Sequence, residues 1–114
     1  MSFEVKNTVP TFYANIHVAG DYDTARAACR EITYTFGFCF QIHKVDYIYT
    51  GGEESGLLIR VVNYPRFPRD PDEITKLTVE FGKIIATKLC QKSFTVETST
   101  DTMYLESDNK LHSK

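Results

Sequence analysis

The sequence predicts an α+β fold of order β-α-β-β-α-β-β, in which two helices pack on one face of an antiparallel sheet. Three observations carry this. Residues 12–18 alternate apolar and polar side chains with the period of a strand. Residues 22–36 and 71–89 repeat apolar side chains at three- and four-residue steps, as helices do. The β-branched and aromatic runs left over fall into two pairs joined by turns. The first six elements follow the split βαβ order of ferredoxin-like folds, and the seventh adds an edge strand. A chain of 114 residues suits a single domain, with its core over 10–106 and a polar, frayed tail over 107–114.

In the first strand Phe12, Ala14, Ile16 and Val18 face inward, and Tyr13, Asn15 and His17 face outward. Gly20 breaks the chain, Asp21 caps the first helix, and Ala25, Ala28, Cys29, Ile32 and Phe36 form its buried stripe. Gly37 then closes that helix in the left-handed conformation. FCFQIHKVDYIYT and LLIRVVNY make a long hairpin around the turn TGGEESG, with Gly51, Gly52 and Gly56 supplying positive φ. Three prolines in PRFPRDP stiffen the connector that follows, and Asp70 and Pro71 open the second helix. Its stripe is Ile74, Leu77, Phe81, Ile84, Ile85 and Leu89, with Gly82 marking a close approach. SFTVET and TMYLE, joined by STD, close the sheet. Helices on one side leave the other face open. The outward side chains Tyr13, Phe40 or Gln41, Leu58 or Arg60, and Val62 are apolar enough to suggest self-association there.

Thirteen Lys and Arg against fifteen Asp and Glu leave a formal charge of −2, which disfavours duplex nucleic acid as a partner. A small anion needs only two or three convergent donors and stays allowed. The opening MSFEVKNTVP has no basic-then-apolar signal pattern, and no apolar run approaches the roughly 20 residues of a membrane span. Cys29, Cys39 and Cys90 are odd in number and widely spaced, so the expectation is reduced thiols in a cytoplasmic protein without membrane contact.

His17, His43 and His112 share no metal-ligand spacing with one another or with the cysteines, and no cofactor motif is present, so neither metal nor cofactor is expected. Cys39 and His43 stand about 13 Å apart along an extended strand, too far for a nucleophile and its base. Glu53 and Glu54 have two readings: a solvated hairpin tip, or paired carboxylates that share a proton or orient a ribose hydroxyl.

The richest stretch is RVVNYPRFPR, residues 60–69. Arg60, Arg66 and Arg69 offer planar forks for phosphate, and Asn63 donates and accepts as a ribose or base edge requires. Tyr64 and Phe67, with Tyr49, offer faces for stacking, while Gly51 and Glu54 of the hairpin complete the expected binding set. The bland alternative is a proline-terminated strand, Phe67 under the loop and solvated arginines. Arg26 and Arg30, one turn apart, add positive charge or belong to an ordinary helix surface with Asp23 and Glu31.

HVAG at 17–20, ACRE at 28–31, YIYTGGEESG at 47–56, VVNYPRFP at 61–68 and SFTV at 93–96 together resemble the phage anti-Thoeris sponge proteins of the first described type. The resemblance implies a phage protein in the infected host cell that sequesters a cyclic ADP-ribose isomer made by TIR-domain defence enzymes. It implies binding without cleavage, and hence no enzymatic activity. It also implies assembly into dimers or a higher oligomer up to a hexamer, with cyclic oligonucleotides as a further ligand class. Two rivals stand beside it: an enzyme that cleaves such a nucleotide with Glu53 or Glu54 and His17, and a ferredoxin-like module whose open sheet face binds a protein.

Overall fold

A computed structural model describes residues 1–66 and 68–108. Seven elements run in the order β1 (Tyr13–Val18), α1 (Tyr22–Thr33), β2 (Phe40–Tyr49), β3 (Gly52–Val62), α2 (Pro71–Lys88), β4 (Ser93–Thr98) and β5 (Thr102–Glu106). One antiparallel sheet of order β2-β3-β1-β4-β5 results. β1 lies between β3 and β4, with His17 opposite Leu58 on one side and Thr95 on the other. This is the ferredoxin-like arrangement with β5 added beyond β4.

Period two in β1 and β4 sends Ala14, Ile16, Val18, Phe94 and Val96 toward the helices, where all are buried. α2 covers them with Ile74, Phe81 and Ile85, each fully buried. Phe81 is the centre of the packing: the rings of Phe36, Phe38 and Phe40 meet it edge-on at 5.3, 5.1 and 5.5 Å. Gly82 lets α2 approach the sheet, since a Cβ there would stand 2.3 Å from the Phe94 ring. The stripe of α2 turns slightly from the expected one. Ile84 is exposed and Thr78 is fully buried, its hydroxyl donating to the Ile74 carbonyl at 2.6 Å. That local bond satisfies the hydroxyl and lets a β-branched polar residue take a core position.

Caps explain the helix ends, and one expectation fails. Asp21 and Asp70 accept from Thr24 N and Asp72 N, as N-caps should. α1, however, ends at Thr33 with Tyr34 as its right-handed cap, before Gly37, whose φ is not positive. Backbone N–H groups of Tyr34, Thr35 and Phe36 already bond Glu31 and Ile32, so no left-handed residue is needed.

α2 does use one, and it is a cysteine. Cys90 takes φ 57 while its N–H donates to Thr87 O and the Gln91 N–H donates to Ala86 O. This is a Schellman ending built on a residue that disfavours it. Cys90→Gly is expected to stabilise the protein by about 1 kcal/mol, or about 4 °C in Tm; an unchanged or lower Tm in a thermal melt would reject this account of the cap.

The β2–β3 hairpin is tighter than the sequence suggested. Pairing continues to Tyr49 and Gly52, so the turn is Thr50–Gly51 alone, and of the hairpin glycines only Gly51 has positive φ. Glu53 and Glu54 therefore lie in a strand, on opposite faces of the sheet, and are not paired carboxylates at a loop tip. Within the expected tail Ser107 is tied to the sheet, its N–H donating to Lys92 O at 2.7 Å. Residues 109–114, with His112, lie outside the described residues. Among the described residues no helix is long and apolar enough to cross a membrane.

Candidate functional site

The open face of the sheet carries a polar chain that runs across its strands. His17, half-buried on β1, bonds in both directions: its Nδ1 lies 2.8 Å from the Tyr47 hydroxyl and its Nε2 lies 2.8 Å from Glu97 Oε1. Strand order creates this. β4 brings Glu97 beside β1, while Tyr47 comes from β2, two strands away on the other side. Tyr47 reaches across β3 because Gly56 stands in its way with no side chain; a Cβ at Gly56 would meet the Tyr47 ring at 2.5 Å. A glycine in mid-strand is thus explained by close approach.

The chain sets its own protonation pattern. Hydrogen bonding from His17 holds the Glu97 carboxyl below its ordinary range, with Asn15 assisting. Burial, reinforced by the charges of Glu97 and Glu54, pushes the Tyr47 phenol up, so it stays protonated. A neutral His17 then donates from Nε2 to Glu97 and accepts at Nδ1 from Tyr47. Protonated, it donates at both ends, and the phenol turns toward the Leu57 carbonyl, 3.4 Å away.

His17 and Tyr47 open into a hollow of about 530 Å³ lined also by Glu54, Ser93, Thr95 and Tyr104. No Lys or Arg among the described residues lines it. One turn of the pleat away, Arg60 and Asn15 face each other in register. Arg60 Nε and Asn15 Oδ1 are both buried without a hydrogen-bond partner among the described residues, while the guanidinium lies 5.2 Å over the Tyr13 ring.

The residues expected to bind from the sequence are spread over several places. Glu54 joins the open-face hollow, and Arg60 lies on that face beside Asn15. Tyr49 and Gly51 stand at the tip of the β2–β3 hairpin. Asn63 stitches the end of β3: its N–H donates to Phe12 O, its side-chain amide donates to Pro10 O, and its side-chain oxygen accepts from Arg69 N. Arg69 pairs with Glu73 at 2.9 Å and covers the Phe38 ring at 4.7 Å. Tyr64 and Arg66 line a groove on the helical side of the sheet. Phe67 lies outside the described residues. Tyr47, Glu97 and Tyr104 escaped sequence reasoning because only the strand order brings them to His17.

Cys29 is buried, and burial pushes its thiol up to about 12, far from a reactive thiolate.

No family model and no curated protein matches the chain. Two solved structures match in fold. A phage SAM lyase in complex with S-methyl-5′-thioadenosine is 16% identical over 94% of this chain and 98% of that one, with a TM-score of 0.68. A phage SAM lyase in the apo state is 15% identical over 86% and 90%, with a TM-score of 0.56. Identity this low makes the likeness one of fold. It corrects the expectation that the chain is not an enzyme, because the structures that share its architecture are named as a lyase. The lack of a nucleophile–base pair or a metal motif, on which that expectation leaned, says little about such chemistry: a lyase cleaves by elimination or internal closure and requires no protein nucleophile.

Proposed function

We propose that the chain is a lyase acting on an adenosyl sulfonium of the S-adenosylmethionine class, with its substrate in the open-face hollow. The observation that carries this is the character of that hollow. It is lined by Glu54 and by the rings of Tyr47 and Tyr104, has no Lys or Arg on its wall among the described residues, and adjoins the Tyr47–His17–Glu97 chain. Carboxylates and ring faces attract a sulfonium, and the rings give the adenine a surface to stack on. Its volume suits a nucleoside.

The reaction needs one bond broken. The bond from sulfur to the aminobutyryl carbon cleaves, and its electron pair stays on sulfur, which leaves as the neutral thioether S-methyl-5′-thioadenosine. The carbon fragment fills the vacancy by closing onto its own carboxylate or by giving up a neighbouring proton. The positive charge fades in the transition state, so carboxylates near sulfur favour the bound substrate more than the rate. Rate must come from holding the fragment in its reactive shape, and from a group able to hold a proton. The His17 chain, at the edge of the hollow, is placed for the second role.

The same hollow argues against the cyclic ADP-ribose isomer as its ligand, because a diphosphate would face Glu54 and gain no guanidinium from the wall. Copies of the chain would associate through the remainder of the open face, where Tyr13, Leu58 and Val62 are half-exposed, and so exclude water from the site. Incubation with S-adenosylmethionine, followed by chromatography and mass spectrometry, should show S-methyl-5′-thioadenosine rising as substrate falls. Substrate recovered intact, or a cyclic ADP-ribose isomer bound tightly and returned whole, would sink the proposal.

A further inference from the structure

The groove on the helical side of the sheet has the opposite electrical character. It lies between α1, the start of β2 and the turn at 64–66, with a volume of about 640 Å³. Arg26 and Arg30 stand one turn apart on α1, and Arg66 comes from the turn. Phe38, Phe40 and Tyr64 contribute rings, and among the described residues no carboxylate lines the groove.

Four cations elsewhere on the chain are paired with carboxylates. Arg69 pairs with Glu73, Lys83 with Glu80, Lys88 with Glu31 and Lys6 with Glu4. The guanidinium groups of Arg26, Arg30 and Arg66 have no ion pair or hydrogen bond among the described residues, as is also true of the ammonium groups of Lys44, Lys76 and Lys92, but only these three gather around one groove. In a chain of net charge −2, three uncompensated cations around one concavity are a local concentration of positive potential. A single arginine in the last turn would serve the α1 dipole, but Arg26 and Arg66 are not in that turn. The turn that presents Arg66 is also anchored: Asn7 donates to Pro65 O at 2.9 Å, and Asn63 holds the chain on both sides.

We infer that this groove is a second binding site, for a nucleotide carrying at least two phosphate charges, distinct from the site on the open face. Guanidinium forks take the phosphates, and the exposed ring of Tyr64 takes the base above the floor of Phe38 and Phe40. A long polyanion is excluded by the chain's overall negative charge, whereas a compact one is drawn in.

Calorimetry with ADP tests this and needs no turnover, so its outcome is independent of the lyase reading. ADP should bind, and Arg30→Ala and Arg66→Ala should each weaken it about tenfold. The triple variant R26A/R30A/R66A should lose binding and yet melt within about 2 °C of the parent. Pyrophosphate and adenosine should each bind about tenfold more weakly than ADP. The inference is overturned if ADP fails to bind at ~1 mM, if the triple variant binds it like the parent, or if pyrophosphate alone matches it.

Discussion

Replacing His17 by alanine should lower kcat for sulfonium cleavage by about a hundredfold or more, the lower range for removing a positioned proton-handling group. The reason lies in both of its bonds. Without the imidazole, Glu97 loses the donor that holds its carboxyl low, and Tyr47 loses the partner that fixes its hydroxyl at the edge of the hollow. Each remaining group then keeps only a long bond, Tyr47 to the Leu57 carbonyl at 3.4 Å and Glu97 to the Asn15 amide at 3.5 Å. The effect should fall on kcat more than on KM, because the hollow's ring and carboxylate surfaces remain. His17→Gln, which can still donate at one end and accept at the other, should recover part of the rate. A rise in KM alone, with kcat unchanged in both variants, would reduce His17 to a wall of the pocket. Gly56→Ala provides an independent check, since its methyl must displace the Tyr47 ring and so break the same chain without touching its members.

Much of the fold was legible because its signals are local. Alternation in Phe12–Val18 and in Ser93–Thr98 gave strands and their buried faces; Asp21, Asp70 and Pro71 marked helix starts by side-chain chemistry that works within one turn. The misreadings share a cause. Glycine permits positive φ, which suggests a helix cap at Gly37 and a turn at Gly52 and Gly56, whereas Gly52 and Gly56 sit in a strand under the rings of Tyr49 and Tyr47. A glycine needed for missing volume looks the same in sequence as one needed for backbone freedom. Only the partner strand tells them apart.

The open-face site was harder still. Its outward residues could be read, since Asn15, His17, Thr95 and Glu97 alternate with buried ones, but not which of them meet. Tyr47, His17 and Glu97 are separated by 30 and 80 residues and converge through the order β2-β3-β1-β4. The expected cluster at 60–69 shows the reverse. Its arginines are neighbours in sequence, yet the strand and the loop send Arg60 to one face of the sheet and Arg66 to the other side, while Arg69 is spent on Glu73. Two hollows of opposite electrical character, on the two sides of the sheet, thus stand where residues 60–69 suggested one anion site.

Phe81→Ala should cost about 3–5 kcal/mol of stability, a large part of the 5–15 kcal/mol typical of a small domain. Phe81 is fully buried and holds three other rings edge-on, so its loss removes apolar burial, three aromatic contacts and the support for Phe38 and Phe40. Collapse around the cavity is restricted, because Gly82 already brings α2 hard against Phe94. In a chain of this length the expected fall in Tm is about 15 °C. Ile84→Ala, three residues on but 42% exposed, should change stability by no more than about 0.5 kcal/mol. The pair is a direct test of the helix's rotation: the sequence stripe counts both as core, and the structure only Phe81. Comparable losses from both substitutions in urea unfolding would mean that α2 faces the sheet in the other setting. Phe38 and Phe40 also floor the arginine groove, so Phe81→Ala should weaken ADP there while leaving Arg26, Arg30 and Arg66 in place. A fully retained affinity would show that the guanidinium groups bind without the rings.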